Sequence, residues 1–360
     1  MTTVSLYTDP RENTYDQIID ELIEKTDRFL IVDRGYAIDD PPKRVAQVLE
    51  QLEPYLIEVF TMDEAMVRER FMYNNKIDSH AMYSSGSYYI YSCTPESGQV
   101  LKQEATRFGD WLYPSLPDDL CFLKEDGSDY FYTVAHEGMY GMGITEEEAS
   151  KLMERIPGLF FKLQRHEQFD CFLDDAIQHQ TDRLNITGYL LSEIPDRIRE
   201  LTQLKELEVF EQHVSELPPA FFELTALEKL TIMTADLKGI PQDIGKLTQL
   251  KELTIYGGSA FHVEPGWKPK PKHELELRHL PAEIGNLTEL VSLSISYSGI
   301  RELPPELENL KKLKLLNITN SLIEGTPDVV SRMHWLEHVS LSGHSLGLSE
   351  EALLTEEEIE

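Results

Sequence analysis

The sequence predicts an α/β repeat solenoid in the C-terminal half of a 360-residue chain, preceded by a separate α+β domain. Three observations predict it. A short apolar triplet recurs at fixed spacing from Leu184 to Leu341, the apolar period changes within each unit, and residues 1–175 contain no such repeat.

The triplets are Leu184-Asn-Ile186, Leu207-Glu-Val209, Leu230-Thr-Ile232, Leu253-Thr-Ile255, Leu293-Ser-Ile295, Leu316-Asn-Ile318 and Val339-Ser-Leu341. Their starts lie 23 residues apart, apart from one gap of 40, which is one period plus 17 residues. Alternation within each triplet buries one face of a short strand. Each full unit continues as in Ile194-Pro195-x-x-Ile198-x-x-Leu201-x-x-Leu204, where apolar residues three apart suit a helical or 3₁₀ return segment. Pro195, Pro218, Pro241, Pro281, Pro304 and Pro327 stand where the return begins, a place where a fixed φ and a missing N–H cost little.

This pattern resembles the leucine-rich-repeat family, and the 23-residue form LPxxIxxLxxLxxLxL is most similar to its intracellular, Ras-binding class. The resemblance covers about residues 181–347. It implies a right-handed solenoid with a parallel sheet on its concave side, held by packing between neighbouring repeats. The family places an Asn after the strand to satisfy backbone groups in the turn. Here those positions are Tyr189, Gln212, Ala235, Gly258, Ser298, Ser321 and His344, so that device is missing while the apolar ladder is intact.

Residues between and just after the buried strand positions point out of the concave face. One outward column reads Asn185, Glu208, Thr231, Thr254, Ser294, Asn317, Ser340, and the next reads Thr187, Phe210, Met233, Tyr256, Ser296, Thr319, Ser342. Phe210, Met233 and Tyr256 are therefore expected side by side on an exposed sheet, with Glu208, Glu211 and Tyr297 at the rim, as a partner-binding strip.

The additional residues, near 259–276, carry Trp267, Lys268, Lys270, Lys272 and His273, the densest basic cluster in an acidic chain. Pro269 and Pro271 favour an extended backbone there. The cluster reads either as a recognition loop for acidic groups on a partner or as lysines paired with the protein's own carboxylates.

Residues 1–175 read as an α+β domain. Helical patterns cover 15–26, 43–60 with a disturbance at Pro54, 62–72, and 146–156, the last opened by a Thr145/Glu148 capping box. Strand signals occur at Phe29–Val32, Tyr88–Tyr91, Cys121–Leu123 and Tyr130–Val134, with a turn at Glu125-Asp126-Gly127. The apolar residues from Leu159 to Ile177 suit one mostly helical face that caps the open end of the solenoid. At the other end, residues 348–360 form an acidic cap or tail after Leu346 and Gly347.

A net charge of −31 is spread over both halves, with 16 Lys and Arg against 34 Asp and Glu in residues 1–180 and 17 against 30 thereafter. Nucleic acid and anionic membrane are therefore not expected partners, whereas a basic protein would be steered inward. No stretch reaches the roughly eighteen apolar residues of a membrane helix. The three cysteines, Cys93, Cys121 and Cys171, suit reduced thiols, so the expected location is the cytoplasm.

No metal spacing, cofactor motif or catalytic set is recognisable. His136-Glu137 follows a strand without an HExxH or CxxC pattern, and Gly138-x-x-Gly141-x-Gly143 lacks a P-loop lysine and reads as turn or hinge glycines. The leading expectation is a non-enzymatic protein-protein interaction module. Two alternatives stand beside it: an inhibitor or immunity-like protein that neutralises a basic toxin or nuclease, and an enzyme in the N-terminal domain whose repeats select its substrate.

Overall fold

In the computed structural model, which describes residues 3–35, 43–63, 77–211, 213–234, 237–257, 272–341 and 344–347, the repeat period becomes a register. The chain divides into two compact units, Met1–His166 and Glu167–Glu360.

The first unit is built on a seven-stranded sheet. Its elements in order are β1 (Val4–Ser5), α1 (Glu12–Lys25), β2 (Arg28–Asp33), α2 (Lys43–Leu52), β3 (Leu56–Met62), β4 (Gly86–Ser92), α3 (Pro95–Glu104), β5 (Asp118–Leu123), β6 (Asp129–Val134), β7 (Met139–Met142) and α4 (Glu146–Arg155). The spatial order is β1-β7-β6-β5-β2-β4-β3, and every pairing is antiparallel. An aromatic chain joins α1 to the sheet: Tyr15 meets Phe108, Phe108 meets Phe131, and the Trp111 indole donates to the Tyr15 hydroxyl at 3.0 Å. Leu30, Val32, Tyr88, Ile90, Cys121, Leu123 and Val134 form a second apolar cluster, joined by Met82 and Met62.

Several local readings hold in this unit. The capping box opens α4, with Thr145 Oγ1 accepting the Glu148 N–H and the Glu148 carboxylate accepting the Thr145 N–H. Gly127 has φ +86° and closes the β5–β6 turn, a conformation that favours glycine. The turn-or-hinge reading of the glycine run fails at Gly141, which lies in β7, where a Cβ would stand 2.6 Å from the Tyr132 ring.

Three expectations change or fall outside the described residues. The helix expected over 43–60 stops at Leu52, a 3₁₀ turn follows at Glu53–Tyr55, and Leu56–Phe60 belongs to β3. Pro54 explains the break, since it supplies no N–H to a continuing helix, and the β-branched and aromatic residues after it pair with β4. The helix expected over 62–72 falls mostly outside the described residues, and Met62 closes β3. The apolar stretch 159–177 also divides. Phe160 and Phe161 are extended, with the Tyr7 N–H donating to the Phe160 carbonyl at 2.7 Å, whereas Phe169–His179 is a helix, α5, in the second unit.

The second unit continues with β8 (Arg183–Thr187), β9 (Glu206–Phe210), β10 (Lys229–Met233), β11 (Glu252–Tyr256), β12 (Ser292–Ser296), β13 (Leu315–Thr319), β14 (His338–Leu341) and β15 (His344–Gly347). The first seven run parallel and in register, so that Leu184, Leu207, Leu230, Leu253, Leu293, Leu316 and Val339 form one unbroken row. The insertion between β11 and β12 does not shift it. β15 turns back antiparallel on β14 and covers its outer edge, a common device against edge-to-edge pairing. The returns are five-residue 3₁₀ turns, each entered through its proline, until Asp328–Arg332, which is α-helical. This is a leucine-rich-repeat-like fold.

A candidate binding strip on the repeat sheet

Alternation decides what the sheet presents. Leu207, Val209, Leu230, Ile232, Leu253 and Ile255 are buried, so the residues between and after them face the other way. Phe210 pairs with Met233 and Met233 with Tyr256, and all three side chains are partly exposed. At the usual spacing between strands the row is about 10 Å long. Hydroxyl residues bracket it. Thr187 stands on the β8 side, and on the other side Ser296 and Thr319 place their hydroxyls 2.8 Å apart.

Glu208, two residues before Phe210, shares its face and is partly exposed; its carboxylate accepts from the Asn185 side-chain amide at 3.1 Å. A third column, not anticipated from the sequence, precedes these two. Arg183, Glu206, Lys229 and Glu252 alternate in sign across β8 to β11, with Arg183–Glu206 at 3.3 Å and Lys229–Glu252 at 3.7 Å. The legible signal was alternation of charge at the 23-residue period. These pairs largely cancel, whereas Glu208 is the one charged residue in its column, so it sets the sign beside the apolar row.

The other candidate residues fall elsewhere. Glu211, expected at the rim, is 1% exposed. Its carboxylate accepts the backbone N–H of Tyr189 at 2.7 Å and of Leu191 at 3.1 Å, which commits it to the turn of the preceding repeat rather than to a partner. Tyr297 is partly exposed in a left-handed turn, φ +55°, after β12 and not in the row. Its carbonyl oxygen lies 3.2 Å from where a Cβ on Gly257 would stand, beside the end of β11.

Trp267, Lys268 and Lys270 lie outside the described residues. Lys272 opens a 3₁₀ turn, Lys272–Glu274, after which Leu275 and Leu277 re-enter the core. The Gly299 N–H donates to the Leu277 carbonyl at 2.9 Å. β11 ends at Tyr256, the last large side chain of the row, and the chain is described again from Lys272.

A second group of polar residues lies in the first unit. Arg34 is buried between Asp118, at 3.2 Å, and Asp119, at 2.5 Å, and its guanidinium lies 4.1 Å from the centre of the Tyr83 ring. The Tyr83 hydroxyl donates to Asp119 at 2.7 Å and meets His136 Nδ1 at 3.1 Å. A hydroxyl carries one proton, so with Asp119 as its acceptor the contact with His136 is a donation from Nδ1; Nε2 lies 3.6 Å from the Glu137 carboxylate. Burial, reinforced by the Asp119 hydrogen bond, raises the Tyr83 pKa well above a free phenol. Burial opposes the charge on Arg34, but Asp119 outweighs it and the net shift is upward. His136 itself is 45% exposed. Among the described residues, no cluster of three or more His, Cys, Asp or Glu side chains is placed to hold a metal ion, and no helix is long and apolar enough to cross a membrane.

No family model matches the chain, and no curated protein matches it. Among solved structures, a leucine-rich-repeat protein of Leptospira interrogans is similar at 23% identity, over 47% of this chain and 45% of that one, with a TM-score of 0.37. The leucine-rich-repeat domain of a type III effector is similar at 26% identity, over 49% and 57%, with a TM-score of 0.39. An internalin of Listeria monocytogenes is similar at 20% identity, over 47% and 43%, with a TM-score of 0.36. Each match thus spans about half of either protein.

Proposed function

We propose that this chain is a non-enzymatic protein-binding module whose repeat sheet holds its partner on the row Phe210, Met233 and Tyr256. The observation that carries the reading is their placement: three large, partly exposed side chains in register on a sheet whose neighbouring outward positions are mostly Ser, Thr and Asn. Aromatic side chains on a rigid scaffold supply apolar contact area at low entropic cost, and the flexible Met between them adapts to the surface it meets. Glu208 favours a basic group on the partner beside the apolar contact. The insertion, with Trp267, Lys268, Lys270 and Lys272, extends the strip past Tyr256 in this reading.

The net charge of −31 favours a basic partner, which includes the inhibitor or immunity-like form of the proposal. A reducing, cytoplasmic setting suits the three cysteines, which are free thiols. The test is affinity capture from the native lysate with wild type and with Phe210→Ala/Tyr256→Ala. Loss of one specific partner from the variant supports the row, and equal recovery removes it. A high-pI partner released by moderate salt points to the inhibitor form. Deleting residues 262–273 tests the loop, which unchanged affinity would dismiss.

A second reading is favoured by one observation, the partly exposed His136 whose Nδ1 is oriented through Tyr83 by buried Asp119. Such an arrangement orients the imidazole as a general base requires. If the first unit is an enzyme and the repeats select its substrate, His136→Ala leaves capture intact and abolishes conversion of the captured protein. A captured partner of identical mass with wild type and variant removes this reading.

A further inference from the structure

The seven-stranded sheet ends on β3, and among the described residues no strand pairs with its outer edge. Native edge strands usually carry protection: a lysine, a proline, a bulge or a covering element. β3 has one of these, a register slip at Ile57 between the Leu56–Tyr91 and Glu58–Ile90 pairs. From Glu58 to Met62 the pairing with β4 is regular, and the strand contains neither Lys nor Pro.

The side chains along this edge are unusually apolar for exposed positions. Leu56, Ile57 and Val59 are 39%, 53% and 44% exposed. They stand beside main-chain groups that, among the described residues, have no second strand to bond. Open backbone and exposed alternating side chains together are what an incoming strand needs, because the backbone supplies affinity and the side chains supply register.

Charge narrows the occupant. Glu53 precedes the strand and Glu58 lies on it, β3 contains no Lys or Arg, and β4 carries no charged residue. A second copy would bring the same carboxylates to the edge on a chain of net charge −31. An extended segment with lysines or arginines alternating with apolar residues complements both features.

We propose that β3 is a strand-addition site for an extended, basic and apolar segment of another protein, independent of the row on the repeat sheet. The added strand bonds the outer edge from Glu58 to Met62, its apolar residues lie beside Ile57 and Val59, and its cations meet Glu58.

The test uses the full chain and a short synthetic peptide of alternating lysine and valine at roughly 150 mM salt, where long-range attraction is screened. Its control is the same peptide with alternate backbone nitrogens methylated, which keeps the charge and removes main-chain bonding. The unmodified peptide should bind at least about tenfold tighter than the methylated one. Hydrogen exchange should slow at alternate amides of Glu58–Met62, and Ile57→Lys/Val59→Lys should abolish the difference between peptides while melting like wild type. Both positions are exposed, so that variant is expected to fold. Equal binding of the two peptides, unchanged exchange in β3, or a wild-type dimer that the double substitution dissolves would each overturn the proposal, the last by making the occupant a second copy.

Discussion

The carboxylate of Glu211 accepts the backbone N–H of Tyr189, 2.7 Å away and one repeat earlier, and it also takes the Leu191 N–H. This satisfies two backbone donors of the first turn, and it explains why an acid is tolerated at 1% exposure. Glu211→Ala leaves two backbone donors without their acceptor. The expected loss is about 1–3 kcal/mol of stability, read from urea unfolding, with faster hydrogen exchange at Tyr189 and Leu191. Unchanged exchange there would show that another group takes the bonds.

Neighbouring residues in β10 should respond in opposite ways. Ile232 is fully buried in the apolar row, so Ile232→Ala should lower stability by about 2–5 kcal/mol. Met233 faces outward, and Met233→Ala should cost under about 1 kcal/mol. Comparable losses at the two positions would mean that Met233 is packed rather than presented.

The repeats were legible because their signal is redundant: each of seven triplets reports the same register, and one apolar column survives an insertion of 17 residues. The row Phe210, Met233, Tyr256 followed from period and alternation alone. Glu211 did not, because its partners are main-chain groups of another repeat, and position relative to the triplet cannot distinguish a rim acid from one folded back into a turn. In the first unit, the strands at 29–32 and 130–134 were visible from dense β-branched and aromatic runs. β3 was hidden by the helical spacing of Val45, Val48 and Leu52 running into Leu56, with only Pro54 to mark the change. The Arg34–Asp119–Tyr83–His136 group was also illegible, since tertiary structure assembles it from four separate segments.

That group yields its own prediction. Asp119→Ala removes the shorter of two carboxylate contacts from buried Arg34 and also removes acceptors for Tyr83 and for the Ala135 N–H. Breaking a buried pair from one side costs about 3–5 kcal/mol; the remaining Asp118 limits that loss, while the left-handed backbone at residue 119, φ +55°, adds strain for Ala. Tyr83→Phe should cost much less, because it leaves the Arg34 pair in place. Urea unfolding of the two variants checks the order, which reverses if the Tyr83 hydroxyl rather than the ion pair anchors the group.

Burial is the main cause that pushes the Cys93 thiol from 9.0 up to about 11; nearby Asp27 adds to this, and a hydrogen bond with Thr26 opposes it. The unfolded chain therefore releases this proton first as pH rises. Below pH 9 the group is protonated in both states and contributes no slope, and between pH 9 and about 11 stability falls. Stability measured against pH should show that fall in wild type and a shallower one in Cys93→Ala. Parallel curves would place the thiol in contact with water.

Hydroxyl-radical footprinting of the free chain and of its complex with the captured partner reads Phe210, Met233 and Tyr256 directly. Methionines elsewhere calibrate it: Met139 is 43% exposed, whereas Met82 and Met153 are buried. In the free chain Met233 should oxidise at a rate between those of Met139 and Met82, with Phe210 and Tyr256 also modified, and all three should be protected in the complex while Met139 is unchanged. A Met233 as inert as Met82 in the free chain, or a row equally reactive with partner bound, would contradict a binding strip on this sheet.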